Sequence, residues 1–183
     1  MRTIELHPEP LTHEAFAPFG QIVGELPGKP GWTRPRLDAW KMSFEADGRT
    51  ELRIMRYHLQ PMEFHLLERH LAVTESRAPL GGAEAIMVVA PRSPEGRPAE
   101  LPAPETLRAF RLDGTVGLML WRGVWHALDC FPLKPPHADF VFLTEVETEE
   151  EIETSKDPVH GKRTQLADYR AAFDVQFRVA LRR

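Results

Sequence analysis

Cysteine is almost missing from this sequence, and so are long apolar runs. Cys130 is the single cysteine among 183 residues, which excludes an intramolecular disulfide, a zinc ribbon and a paired-thiol redox centre. The longest apolar runs, residues 85–90 and 116–121, fall far short of the roughly 20 residues that a membrane-spanning helix needs. Residues 1–8 lack the apolar core of a signal peptide. These features predict a cytoplasmic protein with no membrane partner.

Excess positive charge and nucleotide-binding motifs are also lacking. The formal net charge is -4, so the chain has no basic footprint for nucleic acid. It contains neither a P-loop nor a Gly-x-Gly-x-x-Gly segment, and we predict no organic cofactor. With 42% hydrophobic and 27% charged residues, the composition is that of a globular domain with one good core.

The pattern along residues 1–145 is typical of short β-strands. The 17 prolines of the chain favour short strands and rigid loops over long helices. Asp-Gly pairs at 47–48 and 113–114 signal tight turns, and the apolar run 85–90 is typical of a buried strand. Thr12 has the position of an N-cap for a helix of little more than one turn. We therefore predict a mainly β domain, an antiparallel sandwich or barrel, with a short N-terminal helix.

The last part of the chain changes pattern. Residues 145–153 include six glutamates and predict a solvated linker. Apolar residues then recur at spacings of three and four, the stripe of an amphipathic helix. The stripe consists of Leu166, Tyr169, Phe173, Phe177, Ala180 and Leu181. We predict that residues 146–183 form an acidic linker and a C-terminal helix, which packs on the domain of residues 1–145 or on a partner subunit.

One predicted strand carries the candidate chemistry. Residues two apart in a strand face the same way, so Glu68 and His70 lie side by side while Arg69 faces the opposite way. Glu75 follows at a distance that suits a turn into the next strand of a hairpin, from which its carboxylate points back at the same pocket. His126 follows a glycine turn in a second stretch. The two spacings resemble the two motifs of cupins, with a glutamate in place of the first histidine.

Each of these residues also fits a structural role. Glu68 and His70 fit a salt bridge on a solvated sheet face. Glu75 fits a turn cap, and His126 fits a hydrogen-bonded core histidine. The spacing alone leaves both kinds of role open.

Five blocks carry a family resemblance that covers about residues Leu11 to Glu145. The blocks are Pro10-Leu-Thr-His-Glu-Ala-Phe-Ala-Pro-Phe-Gly20, Leu67-Glu-Arg-His70, Leu107-Arg-Ala-Phe110, Arg122-Gly-Val-Trp-His126 and Asp139-Phe140. In this order and at these distances they resemble ureidoglycolate lyases, also called ureidoglycolate hydrolases. The resemblance implies a cupin-type antiparallel β-barrel (a double-stranded β-helix), a homodimer, and cleavage of ureidoglycolate into glyoxylate and urea during allantoin (purine) degradation.

Some positions depart from the family pattern. Glu75 stands where the family usually has glutamine, and Arg77 stands where it usually has phenylalanine. Leu120 and Trp121 replace a Tyr-His pair, and Ala127 replaces a histidine. A pocket that loses two histidines and gains a carboxylate points to a divergent member of the family.

The reaction implied by the resemblance defines roles for these residues. It needs a hydroxyl proton removed and the departing urea nitrogen protonated, which is general acid/base catalysis. The candidate catalytic residues are Glu68, His70 and His126, and the candidate ligands of a divalent metal are Glu68, His70, Glu75 and His126. Mixed nitrogen and oxygen ligation fits Ni, Mn, Zn or Fe. A substrate carboxylate favours an arginine fork. The candidate substrate-binding residues are Arg69, Arg77, Arg122 and Trp121.

Two other functions fit the same residues. The first is another metal-dependent cupin enzyme, an isomerase or oxygenase acting on a different small carboxylic acid, which the carboxylate of Glu75 favours. The second is a non-catalytic cupin that binds a small acid. Turnover of ureidoglycolate separates the lyase from both.

Overall fold

The structure is a computed structural model that describes residues 1–24, 28–154 and 161–181. Three α-helices occur among these residues: α1 (His13–Phe16), α2 (Val146–Thr154) and α3 (Tyr169–Phe173), with one 3-10 turn at Pro104–Thr106. None of these helices has the length and apolar character to cross a membrane. Helix α1 is the predicted N-terminal helix, and the Thr12 hydroxyl caps it by accepting the Ala15 N–H at 3.2 Å.

Strands make up most of the regular structure, which confirms the mainly β prediction. In chain order the strands are β1 (Arg2–Leu6), β2 (Glu9–Pro10), β3 (Gly20–Val23), β4 (Trp32–Arg34), β5 (Leu37–Ala39), β6 (Thr50–His58), β7 (Glu63–Phe64), β8 (Leu66–His70), β9 (Ser76–Pro79), β10 (Ala85–Ala90), β11 (Arg108–Leu112), β12 (Gly117–Leu120), β13 (Trp125–Ala127), β14 (Phe131–Pro132), β15 (His137–Glu145), β16 (Thr164–Asp168) and β17 (Val175–Val179).

Two sheets face each other across a core, in a jelly-roll-like sandwich. The first sheet has the order β16-β8-β13-β10-β11-β2, with β14 beside β10, and the second has the order β3-β12-β9-β15-β6. Neighbours are antiparallel except for β11 and β2. A third sheet, β1-β17-β7, covers the outer face of the first sheet. Among the described residues the two main sheets do not close into a continuous barrel.

Strand β10 is the predicted buried strand, and all six of its residues are buried. Met87 and Val89 point inward to the second sheet, where they pack with residues such as Phe140. Ile86 and Val88 point outward to the third sheet. Because both faces are covered, the sequence of this strand is continuously apolar and does not alternate.

The predicted C-terminal amphipathic helix is wrong. The segment folds as β16, the five-residue helix α3, and β17. Asp168 caps the start of α3, and Asp174 ends the helix with a left-handed φ of 54°. After that turn Val175, Phe177 and Val179 alternate inward as a strand, which pairs with β1. The apolar stripe fits a helical period, but Val175–Val179 form a strand because they pair with β1 from the other end of the chain.

The predicted acidic linker is wrong as well, because residues Val146–Thr154 form α2. Glu145 and Glu149 are buried, and neutral or cationic partners hold them: the Thr148 hydroxyl donates to Glu145, and the Thr144 hydroxyl donates to Glu149. The division into residues 1–145 and 146–183 stays a prediction. Residues 155–160 and 182–183 of that segment lie outside the described residues.

The predicted hairpin from β8 into the following strand is also wrong. Strand β8 belongs to the first sheet and β9 to the second, so residues 71–75 cross from one sheet to the other. Glu75 is the last residue of this crossing. Its carboxylate therefore approaches Glu68 and His70 from the opposite sheet, as the packing of the sandwich dictates.

Candidate active site

Two neighbouring strands of the first sheet present the candidate residues to the interior. His126 of β13 is the antiparallel partner of Glu68 on β8. Since side chains alternate along a strand, Trp125 and Ala127 point outward while His126 points inward, on the same face as Glu68 and His70. Glu75 reaches the same point from the second sheet. We call Glu68, His70, Glu75 and His126 the cluster.

The side chains of the cluster approach one another closely. The ligand atoms of Glu68, His70 and His126 all lie within 4.8 Å of one another. Glu75 Oε2 lies 3.2 Å from His126 Nε2 and 3.6 Å from His70 Nε2. The side chain of Glu68 is 17% exposed, whereas those of His70, Glu75 and His126 are 5% exposed or less. Glu68 is therefore the most solvent-accessible member of the cluster.

Hydrogen bonds fix the orientation of both imidazole rings. The Thr164 hydroxyl donates to the Arg69 carbonyl at 3.3 Å and lies 3.0 Å from His70 Nδ1, so it accepts the Nδ1–H of that ring. His126 Nδ1 lies 2.9 Å from the Ala127 carbonyl, to which it donates. In the neutral rings both Nε2 lone pairs are then left facing the Glu75 carboxylate.

Two hydrogen-bond acceptors, the Nε2 lone pair of neutral His126 and a carboxylate oxygen of Glu75, therefore face each other. His126 Nε2 and Glu75 Oε2 are buried and have no hydrogen-bond partner. A nitrogen lone pair and a carboxylate oxygen 3.2 Å apart repel each other unless a proton or a metal cation lies between them. Glu68, His70 and His126, whose ligand atoms lie within 4.8 Å of one another, therefore form a mixed nitrogen and oxygen group that could hold a divalent cation, with the orphaned Glu75 oxygen beside it.

Burial shifts the pKa values of Glu68 and His70 in opposite directions. Burial raises the pKa of the Glu68 carboxyl to about 7, and the Glu75 carboxylate adds to the rise while His126 opposes it. Burial lowers the pKa of His70 to about 4, although the Glu75 carboxylate opposes this. Near neutral pH, Glu68 can hold or release a proton, whereas His70 is neutral.

The pKa values of Glu75 and His126 are governed by charge rather than by burial. Burial opposes the ionised form of Glu75, but Arg77, His126 and His70 outweigh it and hold the pKa of Glu75 well below its usual range. Burial likewise opposes the cationic form of His126, but the Glu75 carboxylate outweighs it and raises the pKa of His126. Glu75 is thus the fixed negative charge of the cluster.

Arg77 supplies the countercharge. Its guanidinium is fully buried and donates a very short hydrogen bond to Glu75 Oε1. The remaining surroundings are weakly polar or apolar: the Phe142 ring centroid lies 5.3 Å from the guanidinium carbon, and Cys130 Sγ lies 3.4 Å from Nη1. Tyr57 Oη is at 3.5 Å. Arg77 is therefore bonded to Glu75 inside the core, without a free face toward solvent.

The other predicted substrate-binding residues lie elsewhere. Arg69 is on the outer face of β8, stacked 4.6 Å from the Trp125 ring centroid. Arg122 pairs with Asp47 at 2.8 Å. Trp121 donates to a backbone carbonyl in the α1 region at 3.1 Å and lines a cavity of about 550 Å³. Within the part of the chain that the structure describes, no side-chain hydrogen bond or ion pair joins these three residues to the cluster.

Thr164, which orients the His70 ring, is a site residue that the sequence analysis did not identify. Thr164 belongs to β16, a segment that the apolar stripe assigned to a helix, and β16 is the direct neighbour of β8. In that register Thr164 is the partner of His70. The pairing joins positions 94 residues apart, so local patterns could not reveal it.

Comparisons with known proteins bear on this site. A sequence model described as ureidoglycolate lyase matches residues 3–160. The chain belongs to the ureidoglycolate lyase family. The curated ureidoglycolate lyase of Pseudomonas aeruginosa is 34% identical over 135 residues, which cover 69% of this chain and 75% of that protein. The one from Stutzerimonas stutzeri is 35% identical over 135 residues, covering 69% and 74%. The one from Azotobacter vinelandii is 32% identical over 127 residues, covering 64% and 72%.

A solved structure of RmlC from Streptococcus suis in complex with dTDP-D-xylose aligns with 56% of this chain and 48% of its own, at a TM-score of 0.32 and 9% identity. That similarity is too low to bear on function.

Two of the positions singled out in the sequence, Glu75 and Arg77, are partners in one buried ion pair. Beside the two histidines, the negative charge of Glu75 is therefore balanced by the positive charge of Arg77.

Proposed function

We propose that this ureidoglycolate lyase family member cleaves ureidoglycolate to glyoxylate and urea, as the names of its relatives state for those proteins. One observation carries the proposal at the level of residues. Both histidine Nε2 atoms face an orphaned carboxylate oxygen of Glu75 in the interior of the sandwich, and the titratable carboxyl of Glu68 lies in one group with the same two histidines.

The reaction is a proton rearrangement around one carbon atom. Ureidoglycolate is a carbinolamide: its hydroxyl and its urea nitrogen are bonded to the same carbon. The hydroxyl loses its proton, its oxygen forms the carbonyl of glyoxylate, the C–N bond breaks, and the urea nitrogen receives a proton. No redox partner is needed. General acid/base groups positioned for the two proton transfers contribute about 10²- to 10⁴-fold each.

Glu68 has the properties that the mobile proton requires. Its pKa of about 7 allows its carboxyl to exist in both forms near neutral pH, and it is the most accessible member of the cluster. In the metal-free cluster we assign Glu68 as the group that accepts and returns the proton; as a ligand of a bound metal, Glu68 would stay ionised and would not take that role. His126 and His70 orient the reacting groups through their Nε2 atoms, and Thr164 holds the His70 ring in place.

A divalent metal, Ni, Mn, Zn or Fe, would be held by Glu68, His70, Glu75 and His126. When bound, it would supply Lewis acidity that lowers the pKa of the substrate hydroxyl. Arg77 neutralises one of the two carboxylates, so the loaded cluster would keep one positive charge. A substrate with a single carboxylate complements that charge.

Arg122 and Trp121 remain our candidates for contact with substrate. Their turn is tied to the cluster because the Gly123 N–H donates to the His70 carbonyl at 2.7 Å. Arg122 is now paired with Asp47 and Glu45, so it would exchange one of these partners for the substrate carboxylate. Arg77 acts through Glu75 as a positioning residue. Arg69 has no part in this proposal because it lies on the opposite face of the sheet.

We also propose that the protein is a homodimer of the cytoplasm. The outer face of the second sheet exposes a row of apolar side chains: Leu52 is 67% and Ile54 is 59% exposed. Their register partners on β15 are Leu143 and Val141, so the four form one patch. An exposed apolar patch of this kind is typical of a protein interface. A second copy of the chain that packs its own patch against this one would cover the apolar surface of both copies.

Steady-state release of glyoxylate from ureidoglycolate tests the activity. We expect Glu68→Gln and His126→Ala to lower kcat by at least about 10²-fold. The matched control is His137→Gln, a histidine outside the cluster, which should leave kcat unchanged. Full activity in His126→Ala would contradict the proposal.

Elemental analysis of the same preparations addresses the metal. We expect about one divalent ion per chain in the wild type and a large loss in His126→Ala. Bound metal without turnover of ureidoglycolate would instead favour a non-catalytic cupin or an enzyme for another small acid. Iron with substrate-dependent oxygen uptake would identify an oxygenase. The Glu75 carboxylate is the sequence feature that favours an isomerase or oxygenase, and these two measurements separate that alternative from the lyase.

A further inference from the structure

A second cavity lies on the outer face of the first sheet, behind the cluster. It has a volume of about 610 Å³ and is lined by residues of β8, β13, β16 and α3, together with residues of the loop that precedes β11. This volume falls within the range of about 300–1,000 Å³ that is usual for small-molecule sites. The lining residues used below are Arg69, Trp125, Gln165, Leu101, Leu166 and Ala171.

Arg69 gives this cavity a buried positive charge. The residue is only 5% exposed. All of its hydrogen-bond acceptors are neutral: Gln165 Oε1 accepts from Nε and Nη2, Ser93 Oγ accepts from Nη1, and the Pro98 carbonyl accepts from Nη2. Among the described residues, no carboxylate lies within ion-pair distance of the guanidinium. A buried cation without a countercharge carries a large desolvation penalty.

The nearest acidic group in the cavity wall is already engaged. Asp168 Oδ1 lies 2.9 Å from His65 Nδ1 and accepts the backbone N–H groups of Arg170 and Ala171 at the start of α3. It therefore serves as the cap of α3 rather than as the partner of Arg69.

The rest of the wall is apolar. Leu101, Leu166 and Ala171 contribute hydrocarbon, and the Trp125 indole forms a flat face against which the guanidinium stacks. Four hydrogen bonds use four of the five N–H groups of an arginine side chain, which leaves one on Nη1. The cavity thus combines an apolar volume with a single cationic donor that is held rigidly.

We propose that this cavity binds a small amphipathic carboxylate, with its anionic head at Arg69 and its apolar body against Trp125, Leu166 and helix α3. Such a ligand supplies the missing countercharge and covers the apolar wall. The site is separate from the cluster, because Arg69 and Trp125 face outward whereas Glu68, His70 and His126 face inward.

Isothermal titration calorimetry on the full chain tests the proposal, with octanoate as the probe. Octanol and octyltrimethylammonium provide the same apolar body with neutral and cationic heads. We expect saturable binding of octanoate, binding of octanol at least about tenfold weaker, and no binding of the cation. Arg69→Gln should weaken octanoate binding at least about tenfold. Arg111→Gln, which removes an exposed arginine that pairs with Glu84, is the matched control and should change nothing.

A second variant keeps the test valid if Arg69→Gln fails to fold. Ala171→Trp adds bulk to the cavity from the exposed side of α3 and leaves every bond of Arg69 intact, so it should abolish octanoate binding. Failure of octanoate to bind the wild type would overturn the proposal. Equal binding to wild type and Ala171→Trp, or to octanol and octanoate, would overturn it as well. Since binding is measured without ureidoglycolate, the result is independent of the proposed lyase activity.

Discussion

Replacing Arg77 by phenylalanine should destabilise the fold severely, whereas replacing Arg77 and Glu75 together should not. In Arg77→Phe, the Glu75 carboxylate stays buried without its countercharge, and breaking a buried ion pair from one side costs about 3–5 kcal/mol. A protein of this size has about 5–15 kcal/mol of total stability, so much of it would be lost. Glu75→Gln alone should be similarly costly because it strands the Arg77 guanidinium among Phe142, Met87 and Cys130.

The double variant removes both charges of the buried pair at once. Phenylalanine fits the apolar surroundings of position 77, and a glutamine amide at position 75 can donate to the orphaned His126 Nε2. Replacing a whole buried pair by uncharged groups is often neutral. We therefore expect the double variant to lie within about 1 kcal/mol of the wild type, with a coupling energy of several kcal/mol between the two positions.

Equilibrium unfolding in urea, followed by tryptophan fluorescence, measures these free energies. A chelator should be present throughout, because a metal bound only to the native state would add its own stabilisation. The matched control is Arg56→Met, which breaks the exposed Arg56–Asp139 pair and should have a far smaller effect. If Arg77→Phe unfolds like the wild type, or if the effects of the two single changes simply add in the double variant, the ion-pair reasoning is refuted.

Three further predictions concern the fold and the assembly. Asp168→Ala removes the cap of α3 and should cost about 1 kcal/mol, measured as a lower Tm. Gly123→Ala should cost about 1 kcal/mol because of its positive φ alone, whereas Gly114→Ala should cost more because its Cβ would also clash with the Gly82 carbonyl oxygen; urea unfolding compares the two. Ile54→Asp should convert the proposed dimer to monomers in light scattering, and a monomeric wild type would contradict that interface.

The elements that the sequence predicted well are those with local causes. The apolar run of β10 has no exposed face, so it could be read directly from composition. Thr12 caps α1 through a bond three residues away. The alternation that placed Glu68 and His70 on one face is a property of any strand. The pattern along β8 therefore identified half of the cluster before any pairing was known.

The errors have non-local causes. The stripe that includes Phe173 and Phe177 fits a helical period, yet β17 forms because β1 offers it a free edge. The acidic run became a helix because Arg53 and Arg163 hold several of its carboxylates, and neither partner is near in sequence. Similarly, the sequence did not reveal that Glu75 and Arg77 interact, and only the packing of the second sheet shows that they form one buried ion pair.

The pairing of β1 with β17 constrains the order in which this chain can fold during synthesis. Ile4 is the register partner of Phe177, so β1 has no strand to pair with until nearly the whole chain has been synthesised. The outer core, including Tyr169, cannot close until the residues of β17 have left the ribosome. Pairings at such large sequence separation are slow to form. A chain that stops at residue 174 would therefore expose the apolar outer face of the first sheet, and we expect it to aggregate or to be degraded.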